Sequence, residues 1–152
     1  MKRERINQVC GINVYFDADY LLVAEARGTW PFEQYIVVGP AWLRIPHGER
    51  MAVLYHEAAH ILKNHRWKRI AMIPLVVVAP EWAIEIAHRQ ELECDAFAAE
   101  NGFRLDYIRL LERVPFVPVD YNRPETLFHP DAQERIAALR GLKEVPPCSD
   151  AA

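Results

Sequence analysis

A chain of 152 residues, 51% hydrophobic and 26% charged, has the length of one domain and can bury a core without disulfide staples. Its formal net charge of −3, with both signs interspersed, supplies no basic stripe to follow a phosphate backbone, so no nucleic-acid partner is expected. Cys10, Cys94 and Cys148 lie far apart and form no CxxC pair, which argues against both a disulfide framework and a thiolate zinc site.

The charged N-terminal stretch MKRERINQ has no apolar run behind it that could form the core of a signal peptide, so a cytoplasmic location is expected. Over residues 12–38, Ile12, Val14 and Phe16 alternate with polar or aromatic neighbours, two further strand-like runs (21–26 and 35–38) follow, and Gly28, Pro31 and Gly39-Pro40 punctuate the strands. This predicts a small, mostly antiparallel sheet. After Pro46 the period changes: Val53, Leu54, Ala58, Ile61 and Leu62 recur at three and four, predicting an amphipathic helix to about His65. The uncharged stretch IAMIPLVVVAP, residues 70–80, is interrupted by Pro74 and too short to span a bilayer, which takes ~20 apolar residues. A buried strand or core loop is expected there, with a peripheral membrane contact as the alternative.

Pro80 opens a second helix near Glu81, and Asn101-Gly102 closes it. Residues 103–114 read as a third helix, the Pro-rich span 115–124 as an irregular connection, and residues 130–139 as a last short helix before Gly141. The whole pattern is that of a single α+β domain over residues 1–141 with a loose tail over 142–152.

The helix after Pro46 carries HEAAHILKNH, residues 56–65. At about 100° per residue, His60 lies ~40° round the helix from His56, so both imidazoles can address one ion. With Glu57 beside them the spacing is His-Glu-x-x-His, in which two neutral imidazoles hold zinc and the glutamate acts on the water that the ion activates. His65 lies ~180° from His56 and cannot join them unless the helix breaks first. It is expected at the helix end, near the negative pole of the dipole, or as an outer contact.

On the second helix Ile84, Ala87, Cys94 and Ala98 form an apolar stripe, and Glu91 and Asp95 fall on that stripe one turn apart. Burying an unpaired carboxylate is costly. Glu91 is therefore expected to bind the ion, the alternative being a buried salt bridge to an arginine. Asp95 is placed to accept the free ring N–H of a ligand histidine, whereas Glu93 points to the opposite face as a solvated charge. Two histidines and one glutamate leave a fourth position open, as in a catalytic zinc site.

The segments HEAAHILKNH, ELECDAFAAENGF and LFHPDAQERIAAL, in that order within residues 48–139, resemble the three blocks of the HtpX and CAAX-prenyl-endopeptidase family of gluzincin metallopeptidases. The resemblance implies a zincin-like fold, with the sheet packed on the active-site helix and a second ligand-bearing helix. It also implies one catalytic zinc ion on His56, His60 and Glu91, with Glu57 as general base and Asp95 behind a ligand histidine. Peptide or protein substrates are implied as well. The same resemblance brings in His129, over the site and able to stabilise an oxyanion, and Arg135, bracing the site through carboxylates. Read alone, His129 is a residue before a helix N-terminus.

The sequence departs from the family pattern in three places. Cys94 stands where alanine is usual, residues 22–27 lack the asparagine of a cleft-lining strand, and no spanning helix is present. In the last respect the chain resembles the soluble minigluzincins, whose compact domains can be latent. An intracellular regulatory peptidase of the ImmA/IrrE type shares two of the blocks, although His129-Pro130 argues against it. A latent or inactive zinc-binding domain is the other alternative, with the Cys148 thiol as an occupant for the open position.

Overall fold

The structure, a computed structural model, describes residues 3–28, 32–113 and 130–143. The charged N-terminus gives no strand signal, yet it forms β1 (Glu4–Val9), hairpinned antiparallel to β2 (Ile12–Phe16). Five of the six residues of β1 are exposed, and a charged, solvent-facing edge strand has no apolar alternation to reveal it. The turn is Cys10-Gly11, both at positive φ (49° and 78°), a two-residue geometry that matches the twist of the flanking strands.

β4 (Tyr35–Val38) lies between β2 and β3 (Ala24–Arg27), parallel to the former and antiparallel to the latter. The sheet, in the order β1-β2-β4-β3, is therefore mixed, with β3 on an outer edge. Ile36, Val37 and Val38 are all buried, as expected of an interior strand.

After the short α1 (Pro40–Leu43), α2 (His47–Leu62) runs through the middle of the molecule. Its Leu54, Ala58 and Ile61 pack against Val9, Ile12, Val14, Ile36, Val38 and Trp42. On its other side Ala52 and Val53 meet Ala98 of α5 (Pro80–Ala98), Tyr107, Ile108 and Leu111 of α6 (Arg104–Arg113), and Ile136 and Leu139 of α7 (Ala132–Gly141). A helix covered by a sheet on one side and helices on the other has little solvent face, so any polar side chain inside it must find partners.

Helix α2 stops before His65. Asn64 takes the left-handed conformation (φ 54°) and α3 (His65–Ala71) starts afresh. Asparagine is among the few residues besides glycine that tolerate this region. His65 therefore opens a new helix rather than sitting at the negative pole of α2. Asn64→Ala should lower stability in urea unfolding by about 1 kcal/mol, whereas Asn64→Gly should not.

Residues 70–80 also differ from expectation: they form no strand, and those whose burial is described are exposed or half-buried. They form the end of α3, the helix α4 (Ile73–Val78) and the start of α5, with Ile73, Val77 and Val78 in solvent. Pro74 is accommodated in the first turn of α4, where its missing N–H has no intrahelical partner to lose. At the other end of α5, a π-helical turn (Ala99–Phe103) with Gly102 at φ 91° leads into α6. Asp131 caps α7 by accepting from the Gln133 backbone N–H. The Pro-rich connection, His129 and Cys148 lie outside the described residues. Among the described residues no helix is long and apolar enough to cross a membrane.

Candidate metal centre

Helices α2 and α5 pack side by side and turn three side chains toward one point. The Nε2 atoms of His56 and His60 are 3.1 Å apart, Glu91 Oε2 is 3.4 Å from the first, and Glu91 Oε1 is 3.3 Å from the second. Ligand atoms about 2.0 Å from a tetrahedral ion are about 3.3 Å from one another, and the two imidazole nitrogens have about that spacing. Two imidazole nitrogens this close need a proton or a cation between them, because their lone pairs otherwise repel.

His56 is held from behind. Its Nδ1 is 2.8 Å from Asp95 Oδ1, so an Nδ1–H can donate to the carboxylate. Arg135 donates to both oxygens of Asp95, at 2.8 and 2.6 Å, and also to the Tyr107 hydroxyl at 2.6 Å. Burial alone would lower the His56 pKa, but hydrogen bonds and charge from Asp95 and Glu91 outweigh it and push it up to about 9. Burial would likewise raise the Asp95 pKa, but Arg135 and His56 hold the carboxyl below the usual carboxylate range. Tyr107 was invisible to motif reading. It occupies an ordinary core position on α6, and its hydroxyl pKa is raised well above the usual value by burial.

His60 has its own support. The break at Asn64 swings His65 back so that its Nδ1 lies 3.1 Å from His60 Nδ1. Burial and the surrounding cationic groups push the His65 pKa down to about 3, so the ring is neutral. His65 Nδ1 also lies 3.4 Å from Cys94 Sγ, and His65 Nε2 is 3.5 Å from Glu93 Oε2. Glu93 is exposed, as expected of a solvated charge, and pairs there with Lys63.

Glu91 forms the buried salt bridge to an arginine that was the alternative expectation for it. It faces the two histidines, and Arg69 Nη2 of α3 donates to its Oε1 at 2.6 Å while Arg69 Nε donates to Gln90 Oε1 at 3.1 Å. A ligating carboxylate with its second oxygen hydrogen-bonded is a common arrangement. Cys94 is buried, as its place on the apolar stripe predicts. His56, His60 and Cys94 form a group whose donor atoms all lie within 4.8 Å of one another and that could hold a metal ion. The absence of a CxxC pair concealed this, and its shared stripe with Glu91 was the available signal. Burial and nearby carboxylates push the Cys94 thiol well up.

Glu57 lies on the sheet side of the centre, where its Oε2 accepts the Ala26 backbone N–H at 2.7 Å. That N–H is therefore turned away from β4, toward the open edge of β3. A cleft of about 380 Å³ runs between this edge and α2, lined by Ala24, Ala26, His56, Glu57, His60 and Glu91 and, at the α3 end, by Arg66, Trp67 and Arg69. Comparison with protein-family models, with curated proteins and with solved structures gives no match in any of the three.

Proposed function

We propose that this chain is a zinc-dependent metalloendopeptidase of the gluzincin type with zincin-like packing. The observation that carries the reading is the convergence of three side chains: His56 Nε2 and His60 Nε2 lie 3.1 Å apart, and the two oxygens of the Glu91 carboxylate lie 3.4 Å from the first and 3.3 Å from the second. His56, His60 and Glu91 would hold one zinc ion, which supplies a Lewis acid for the scissile carbonyl and a water reactive near neutral pH.

The chain's own groups do the rest. An extended peptide would add to the outer edge of β3, its carbonyl taking the Ala26 N–H now bonded to Glu57. The freed Glu57 carboxylate would accept the proton of the attacking water and pass it to the leaving amine. Asp95 and His65 would fix the tautomers of His56 and His60, and His129 would stand by the oxyanion.

Glu91 is preferred to Cys94 as third ligand because one of its oxygens lies 3.4 Å from His56 Nε2 and the other 3.3 Å from His60 Nε2. Metal content measured in wild type, Glu91→Ala, Cys94→Ala and Glu93→Ala tests this. Stoichiometric zinc is expected in all but the Glu91 variant, and zinc lost with Cys94 but kept without Glu91 would overturn the ligand set. His65→Ala should weaken zinc binding by about 10–100-fold in chelator competition, the usual effect of removing a group that orients a ligand.

A second reading, a latent zinc domain, is favoured by the hold of Ala26 on Glu57 and of Arg69 on Glu91. Zinc-loaded chain that cleaves no peptide in a broad library, with or without residues 142–152, would favour a binding module over a peptidase. Cleavage only after truncation would favour latency.

A further inference from the structure

The surface of α3, α4 and the start of α5 is unlike the rest of the molecule. Ile73 is 61% exposed, Val77 83%, Val78 76% and Trp82 53%, with Ile70, Val76 and Trp67 also in solvent. Isolated apolar side chains on a surface are ordinary, but a run of this kind within sixteen residues marks a contact surface. Its charge is equally distinctive. Residues 58–82 contain Lys63, Arg66, Lys68 and Arg69 against one acidic residue, Glu81, in a chain of net charge −3. Arg69 is engaged with Glu91, and Lys63 lies 3.7 Å from a Glu93 oxygen, while Arg66 and Lys68 point into solvent beside the apolar run.

We propose that this face is a docking surface for an anionic phospholipid bilayer. An aliphatic run bracketed by Trp67 and Trp82, with cations beside it, matches the layering of a membrane interface: acyl chains, then the level that tryptophan prefers, then anionic headgroups. The segment is too short to span, so it lies in the interface. A second copy of the chain is a poor occupant. Pairing the face with itself in a symmetric dimer would bring the two cationic stretches together.

Arg66, Trp67 and Arg69 also line the mouth of the metal cleft, so a docked molecule holds that mouth at the bilayer surface. If the peptidase reading is correct, its substrates are peptide segments at or near a membrane. The docking itself does not depend on that reading.

The test is sedimentation of the full chain with vesicles of phosphatidylcholine alone and of phosphatidylcholine with phosphatidylglycerol, with tryptophan emission followed in parallel. Wild type should bind the anionic vesicles with a blue shift, bind the neutral ones far less, and release as salt rises. Arg66→Gln with Lys68→Gln should weaken binding by about 30-fold, at roughly fivefold for each cation near an anionic surface. Val77→Asp with Val78→Asp should abolish binding while circular dichroism and zinc content stay unchanged, since neither side chain reaches the core. Wild type that ignores anionic vesicles would overturn the proposal. So would a concentration-dependent dimer that the Val77/Val78 variant converts to monomer without any lipid binding. Lipid binding without peptidase activity would leave the docking surface standing and count against the peptidase alone.

Discussion

Glu57→Gln is expected to lower kcat for peptide hydrolysis by about 10²–10⁴-fold, the usual contribution of a positioned general base, with the zinc content of wild type. The substitution is close to isosteric. A glutamine Oε1 can still accept the Ala26 N–H that Glu57 now holds, so the junction between α2 and the edge of β3 survives. What disappears is the capacity to take a proton from water and return it to the leaving amine. Neither imidazole contacts Glu57 through the Nε2 atoms that face Glu91, so metal binding should be untouched. Activity per bound zinc, measured on a peptide library, checks the prediction. Undiminished hydrolysis by the glutamine variant would remove Glu57 from the chemistry and the peptidase reading with it. Because Ala26 is both the partner of Glu57 and a docking point for substrate, tight-binding peptides should also alter the exchange protection of the Ala26 amide.

The groups that meet at this centre were legible in the sequence to the extent that helical periodicity alone fixes them. A spacing of four on α2 puts His56 and His60 on one side, and the apolar stripe of α5 carries Glu91 and Asp95 inward with it. Both facts are local, and both survive whatever the rest of the chain does. The Asp95–His56 hydrogen bond needed one further step, the assumption that the two helices pack face to face.

What escaped sequence reading depends on backbone conformations or on distant segments. The left-handed Asn64 redirects the chain by a single residue, so that His65, half a turn out of phase on an unbroken helix, comes to lie against His60. That same break aims α3 at Glu91 and supplies Arg69 as its partner. The amide of Ala26 carries no side-chain signal at all. In β1 the opposite problem arises: the backbone pairs regularly, but an edge strand bathed in water is free to be charged and so loses its period-two pattern. The run at 73–78 reads as a strand because β-branched residues dominate it. It is instead a short helix with Ile73, Val76, Val77 and Val78 in solvent, so its composition answers to something other than the core.

Arg135→Met is expected to destabilise the fold by about 3–5 kcal/mol, roughly 6–20 °C in melting temperature for a domain of this size. Asp95 is buried and its oxygens are occupied by Arg135 and His56. Methionine can fill much of the volume beside Tyr107 but leaves the carboxylate facing His56 alone, and an uncompensated buried charge is the expensive state. Adding Asp95→Asn should therefore recover part of the lost stability, because the orphaned charge is removed along with its partner. It should also weaken zinc binding by about 10–100-fold, since the hydrogen bond orienting His56 is lost or loosened.

The pH dependence carries the same sign. Asp95 is held below the usual carboxylate range, so its contribution to stability is complete above about pH 4 and is lost as pH falls through the lower folded value. Removing Arg135 lets that folded value rise toward or past the unfolded one, so the acid side of the stability profile should flatten. Melting curves of the two single variants and the double variant, across pH and with zinc titrated separately, distinguish this account from simple loss of packing. If cavity formation beside Tyr107 were the whole effect, the single losses would add in the double variant, and the acid limb of the Arg135→Met profile would match that of wild type.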